Sequence, residues 1–189
     1  MRHRQAKHCP FCRGELAATD IGGRPRLRCG GCGHVVYENP AAAAAGVVLN
    51  ERREVLLVRR AIEPFKGSWA LPAGYQEIDE NPRETVVREV REEAGVEVRV
   101  LGLLDLLFVP EDPRRPANVA IFLCATDELR ARPGVEETEA GFFALDALPA
   151  DIGFDNYERI LGRLLRADGY PDAPWDLLGR MLGTRGAKR

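Results

Sequence analysis

The chain of 189 residues is 45% apolar and 30% charged, which suits a fold with a full hydrophobic core and excludes a largely disordered one. Its net charge of −2 lacks the basic excess with which a polyanion-binding protein neutralises phosphates, so nucleic acid is not an expected partner. A small phosphorylated ligand needs only a local site and stays open. No apolar run reaches the roughly 18 residues of a membrane span, and MRHRQAKHC lacks a secretory signal's apolar segment; no membrane association is expected, and the expected compartment is the cytoplasm.

Residues 1–38 are rich in Gly and Arg and hold two pairs, Cys9-Pro-Phe-Cys12 and Cys29-Gly-Gly-Cys32. So small a segment cannot bury enough surface to fold unaided. Two Cys-x-x-Cys knuckles at this spacing can wrap one tetrahedral Zn²⁺ with four thiolates, leaving no open position for catalysis. Such a metal would contribute on the order of 10 kcal/mol to folding. Two disulfides or a redox dithiol are the alternatives, and the reducing compartment favours zinc. His8 and His34 stand beside the knuckles as substitutes for one ligand; four sulfurs are preferred. Cys124, inside VAIFLCA, reads as a core residue.

The character changes at Tyr37-Glu38-Asn39-Pro40, which divides the chain into a ribbon (1–38), a mixed α/β domain (39–168) and a tail (169–189). Residues 42–49 and 54–59 read as strands of a hairpin turning at Asn50–Arg53. After a Pro- and Gly-punctuated loop comes the short stretch Trp69-Ala70-Leu71-Pro72. A helix over 82–94 is framed by Asn81 as N-cap, Pro82 at the first position, Glu84 completing a capping box and Gly95 as stop. Strands follow at 96–109 and 118–126 around PEDPRRPA, and another at Gly141–Leu145. The spacing of Ile160, Leu161, Leu164 and Leu165 predicts a helix over 155–168. A short helix is expected at Trp175–Leu182, before a frayed end.

Within the central helix, Glu89, Glu92 and Glu93 fall at i, i+3 and i+4, on one face, where like charges cost a few tenths of a kcal/mol per pair. A solvated acidic face screened by Arg83, Arg88 and Arg91 is the plain explanation. Against it stand Val86, Val90 and Ala94 opposite, which dock the helix and hold the acidic face rigid. Glu80 adds a carboxylate near the same end, and Ala73-Gly74 offers bare backbone for close approach. Fixed carboxylate and carbonyl oxygens are the donors that Mg²⁺ or Mn²⁺ accepts.

The stretch from Gly74 to Val96 resembles the Nudix box. Gly74, Glu80, Arg88, Glu89, Val90, Glu92, Glu93, Gly95 and Val96 occupy its defined positions, and the likeness extends over about residues 40–165. The resemblance implies a Nudix hydrolase, in which a mixed sheet sandwiched between helices supports cleavage of a nucleoside diphosphate linked to another moiety. It implies Glu89 and Glu93 as principal ligands of Mg²⁺ or Mn²⁺, with Glu92 assisting and the Ala73 carbonyl contributing. Arg88 and Glu80 would orient the glutamates. Of Glu136, Glu137 and Glu139, where a later base-bearing loop is expected, Glu139 is chosen as the additional ligand or base.

A zinc ribbon ahead of such a domain resembles two groups. The Ser-Gln-Pro-Trp-Pro-Phe-Pro-type motif of NADH pyrophosphatases is absent between residues 97 and 125. The arrangement NP…KGSWALPAGYQE, from Asn39 to Glu77, and Pro110 instead resemble FAD and ADP-ribose pyrophosphatases. The expected substrate is therefore a dinucleotide or nucleotide sugar, giving AMP and a phosphorylated product. NADH, a nucleoside triphosphate and a non-enzymatic nucleotide-sensing role are the alternatives. Phe65, Trp69 and Phe108 are candidates for stacking on a base, and Arg114 and Arg115 for reaching phosphates. A homodimer is implied only by the habit of relatives.

Overall fold

The computed structural model describes residues 6–110, 116–154 and 160–162. Arg114, Arg115, most of the expected helix 155–168 and the tail with its expected helix Trp175–Leu182 lie outside the described residues. The chain forms two compact units, Met1–Pro40 and Ala41–Arg189.

The first unit holds a three-stranded antiparallel sheet, which the sequence pattern did not announce. Its strands are β1 (Leu16–Asp20), β2 (Pro25–Cys29) and β3 (Val35–Val36), in that spatial order. Gly22 and Gly23 both take positive φ, 64° and 75°, and the Ile21 N–H donates to the Arg24 carbonyl at 3.0 Å. Two consecutive left-handed residues make the tight turn whose twist matches its flanking strands.

The second unit is built on a seven-stranded mixed sheet. In chain order its elements are β4 (Ala41–Leu49), β5 (Glu54–Arg60), β6 (Trp69–Ala70), β7 (Ala73–Tyr75), α1 (Pro82–Ala94), β8 (Arg99–Val109), β9 (Ala117–Ala125) and β10 (Glu137–Ala144). The main path runs β10-β5-β4-β9-β8, with β6 on β5 and β7 on β4. The β4–β9 pair is parallel along nine residues and the other pairs are antiparallel. Asn50, fully buried, makes the β4–β5 turn by accepting the Arg52 and Glu54 N–H groups at 2.9 and 3.1 Å.

Alternation along β4 divides two cores. Val47 and Leu49 join Leu57, Ile121, Leu123, Ile160 and Leu161 on one face. Val48 joins Leu56, Phe122, Cys124 and the helix residues Val86, Val90 and Ala94 on the other. The helix keeps its expected bounds because its ends are chemically specified. Asn81 Oδ1 accepts the Arg83 and Glu84 N–H groups, Glu84 Oε2 accepts the Asn81 N–H at 2.8 Å, and Gly95 leaves at φ 64°. Gly46 lets the helix come close, since a Cβ there would lie 3.1 and 3.2 Å from methyls of Val86 and Val90.

Two strand starts differ from expectation by more than one residue. The strand expected from 96 begins at Arg99, because the preceding residues are held by side chains instead of a ladder: Glu97 N–H donates to Glu128, and the Thr126 hydroxyl to the Glu97 carbonyl. The strand expected at Gly141–Leu145 begins at Glu137 and pairs along β5. No helix among the described residues is long and apolar enough to cross a membrane.

Gly46→Leu would force a branched side chain between β4 and α1. Chemical denaturation is expected to show a loss of about 1–3 kcal/mol, the usual cost of overpacking a filled core; unchanged stability would mean that the helix stands off the sheet.

Candidate functional site

The acidic face of α1 rests on the backbone of β7. The Ala73 N–H donates to Glu93 Oε2 at 3.0 Å, and a Cβ built on Gly74 would overlap the Glu89 carboxyl group. Only glycine fits there. Glu89 is 9% exposed, Glu93 is partly buried and Glu92 is exposed.

Arg88 answers the repulsion on one flank of this face. Its Nε and Nη2 engage both oxygens of Glu80 at 2.6 and 3.0 Å, and its Nη1 reaches Glu89 at 2.7 Å and Glu92 at 3.0 Å. Nη2 also donates to the Tyr75 carbonyl at 3.0 Å. The buried Thr85 hydroxyl and the Glu77 N–H add donors to Glu80. Glu80 is therefore held ionised, its carboxyl brought down to about 2 chiefly by the Arg88 guanidinium. A bidentate pair of this kind fixes geometry as well as charge.

The other flank lacks such a counter-charge. The C-terminal carbonyls of α1 at Glu93 and Ala94 accept the Gly134 and Arg132 N–H groups at 3.0 and 2.8 Å. That clasp leads the chain into β10 and brings Glu137, 8% exposed, beside Glu93. Burial and the Glu137 charge push the Glu93 carboxyl up to about 8, outweighing the Ala73 N–H and the Arg60 charge. Burial first, then Glu136, pushes Glu137 up to about 6. Glu89 is raised as well, by burial acting against Arg88. Carboxylates crowded together and stripped of water favour a proton or a cation.

Of the two acidic residues, Glu137 and not Glu139 lies beside Glu93. A register shift between the two residues sets Glu137 opposite Arg60 and Glu139 opposite Arg59. Glu139 turns outward and forms a 2.6 Å ion pair with Arg59. Extending the strand pattern back from Gly141 would have placed Glu137 on β10, but nothing in the residue pattern marked the bulge that separates the two side chains.

A cavity of about 110 Å³ opens on the opposite face of the same sheet segment, bordered by Arg60, Ala73, Gly74, Tyr75, Leu107 and Phe154 among others. Arg60 lies over the Phe154 ring, 5.1 Å from its centroid, and its Nε donates to the Pro64 carbonyl at 2.7 Å. Phe65 packs against Phe154 with centroids 4.6 Å apart. Trp69 instead packs edge-on against Phe143 beside the core. Phe108 is half exposed on β8.

In the first unit the four cysteines converge. Their sulfurs lie within 4.8 Å of one another, with Cys9–Cys32 at 3.6 Å and Cys12–Cys29 at 3.4 Å. These separations are far beyond a disulfide and near the ~3.8 Å edge of a tetrahedron with Zn–S bonds of ~2.3 Å. Matching turns carry the knuckles: Arg13 N–H donates to the Cys9 carbonyl and Gly33 N–H to the Cys29 carbonyl, with φ of 62° and 75°. Backbone N–H groups of Cys32 and Gly31, with the Cys12 thiol, bring Cys29 down to about 6. A soft, four-sulfur donor set with amides aimed at it fits structural zinc. Among the described residues this is the only group of three or more such ligands with that spacing; the helix carboxylates stand farther apart.

A mixed sheet that pins a helix's carboxylates against strand backbone, with a cavity on its opposite face, is an arrangement that a known class of domain shares. The NUDIX domain model matches residues 39–163, and the chain belongs to the Nudix hydrolase family. A Methanocaldococcus jannaschii protein named ADP-ribose pyrophosphatase is 36% identical over 132 residues, covering 69% of this chain and 76% of that protein. A Chromobacterium violaceum protein named NAD-capped RNA hydrolase NudC is 34% identical over 145 residues; these cover 76% of this chain but only 52% of the relative. The crystal structure of a NUDIX hydrolase from Nitrosomonas europaea superposes with a TM-score of 0.75 at 31% identity, covering 88% of this chain and 95% of that one.

Two outcomes follow from this geometry. Elemental analysis of reduced protein should find one zinc per chain, and Cys29→Ser should lose it and unfold the first unit; a metal-free first unit that stays folded would contradict the assignment. In EDTA, Glu93→Gln should be more stable than the parent at pH 9 and equal to it near pH 4.5. The folded chain holds this proton more tightly than the unfolded one, so stability falls as pH rises from the ordinary carboxylate value of 4.5 through about 8. Thermal melts at the two pH values check the sign.

Proposed function

We propose that the chain hydrolyses the diphosphate linkage of a dinucleotide or nucleotide sugar of the FAD or ADP-ribose type, releasing AMP and a second phosphorylated product. The substrate class is supported by the name of the Methanocaldococcus jannaschii relative, with which this chain shares 36% identity. The observation that carries the catalytic reading is Glu93, crowded by Glu137 and Glu89 with no ion pair of its own among the described residues.

The donor set fits a hard divalent cation, Mg²⁺ or Mn²⁺, held by Glu89 and Glu93 with Glu92 assisting and the Ala73 carbonyl as a backbone ligand. When bound, such an ion would neutralise the diphosphate and acidify a coordinated water. The chain's own residues do the rest. Arg88, anchored on Glu80, keeps Glu89 and Glu92 from turning away as charge gathers beside them. The Ala73 N–H holds one oxygen of Glu93 in place. Glu137, led to Glu93 by the clasp at the end of α1, is the residue placed to accept the proton of the attacking water. Arg60, bordering the cleft, offers a cation to a substrate phosphate, and the neighbouring Phe65–Phe154 pair offers a flat apolar surface to a ring.

With Mg²⁺ or Mn²⁺, a panel of FAD, ADP-ribose, NADH and nucleoside triphosphates should show turnover of one of the first two with AMP as product. Exclusive cleavage of triphosphates would overturn the substrate class. Glu93→Gln should abolish turnover in a protein that remains folded by circular dichroism. Glu137→Gln should lower kcat by about 10²–10⁴-fold, the range for loss of a general base, whereas Glu139→Gln should leave it unchanged; the reverse ranking would restore Glu139 to the role.

A further inference from the structure

The net charge of the whole chain conceals an uneven distribution. Residues 1–40 carry seven Lys and Arg against three Asp and Glu, whereas residues 41–189 carry 20 against 26. The excess of the first unit is ordered on its sheet. Arg26 pairs with Thr19, and Arg28 with Ala17 on one side and Val35 on the other. Paired residues and alternate residues share a face, so both arginines rise from one face over small neighbours. Arg24, one residue before β2, continues the same alternation, and Tyr37 follows β3 in phase with Val35. Tyr37 is 58% exposed, and the Arg26 guanidinium lies 4.7 Å from its ring centroid.

One carboxylate, Glu15, stands at the end of this face, in phase with Ala17, and it forms no ion pair with the arginines among the described residues. Arg24, Arg26 and Arg28 form no ion pair there. Asp20 pairs with Pro25 on the other face and accepts the Gly23 N–H at 3.2 Å. Alternate residues along a strand recur about every 6.8 Å, comparable to the phosphate repeat of an extended nucleic-acid strand. A row of guanidinium groups beside an exposed aromatic ring is the combination that tracks a backbone and stacks an unpaired base. A duplex, its bases already stacked, has no use for the ring.

We propose that the Arg24–Arg26–Arg28 and Tyr37 face of the first unit binds a single-stranded nucleic acid, with phosphates on the arginines and a base on Tyr37. This binding function is separate from the hydrolase reading and revises the expectation, drawn from net charge alone, that nucleic acid is not a partner.

The test uses the full chain loaded with zinc and fluorescence anisotropy of labelled twelve-nucleotide oligouridylate and oligothymidylate. Binding of either strand is expected, and their ratio tells RNA from DNA. Log affinity against log salt should have a slope of about −2, as for three phosphates on a single strand. Arg26→Ala with Arg28→Ala should flatten that slope to less than half, and Tyr37→Ala should weaken binding at least about fivefold without changing it. Zinc content and small-substrate turnover should stay unchanged in both variants, which separates a lost surface from a lost fold. No binding at 50 mM salt, undiminished binding by the folded double-arginine variant, or equal binding of a duplex or of labelled polyglutamate would overturn the proposal.

Discussion

The domain is organised around like charges held where water is scarce. Helix α1 brings Glu89 and Glu93 against the backbone of β7, and the approach is close because Gly46 leaves room under Val86 and Val90 while Gly74 leaves room for the Glu89 carboxyl. Repulsion among the carboxylates opposes this arrangement, so neighbouring groups must offset it. Arg88 does so on one side by gathering Glu80, Glu89 and Glu92. On the other side, Glu93 and Glu137 meet with an N–H from Ala73 and the charge of Arg60 as partial relief. A pair of acids only partly relieved in this way costs stability, which is the pattern common at functional sites.

The sheet topology then joins that pair to the cleft. Because β7 pairs with β4, Ala73 and Gly74 face the carboxylates and also border the opening lined by β4, β8 and β9. Because β10 pairs with β5, Glu137 and Arg60 sit opposite one another, an acid beside the acidic face and a cation beside the cleft. An acid and a cation are thus fixed by the same strands, and rigid placement of this kind is what the proposed reaction would need to position a substrate.

Much of this was legible in the residues, and the remainder fails for identifiable reasons. The helix could be bounded from sequence because Asn81, Pro82, Glu84 and Gly95 act within a few residues of one another. The four-cysteine cluster was readable because ligand chemistry dictates spacing. The parallel pairing of β4 with β9 joins residues 76 positions apart, as Ala41 with Ala117, and no local pattern encodes it. The sequence offered no way to rank Glu137 and Glu139 by position, because a single extra residue in β10 reverses which side chain faces inward. Strands β1 to β3 went unread because their residues are held by a metal-type cluster and a Gly-Gly turn, with little apolar alternation to reveal them. Whole-chain charge conceals an uneven distribution for a simpler reason, since the excess of basic residues in 1–40 is offset by an excess of acidic ones in 41–189.

The central claim is that the α1 carboxylates relieve their repulsion by taking up a divalent ion beside Glu93. Anomalous diffraction at the manganese edge, from crystals soaked in Mn²⁺ at neutral pH, addresses it most directly. The account predicts a peak within bonding distance of Glu93 and Glu89, lost in Glu93→Gln crystals treated alike. A fully active protein whose crystals show no manganese there would contradict it.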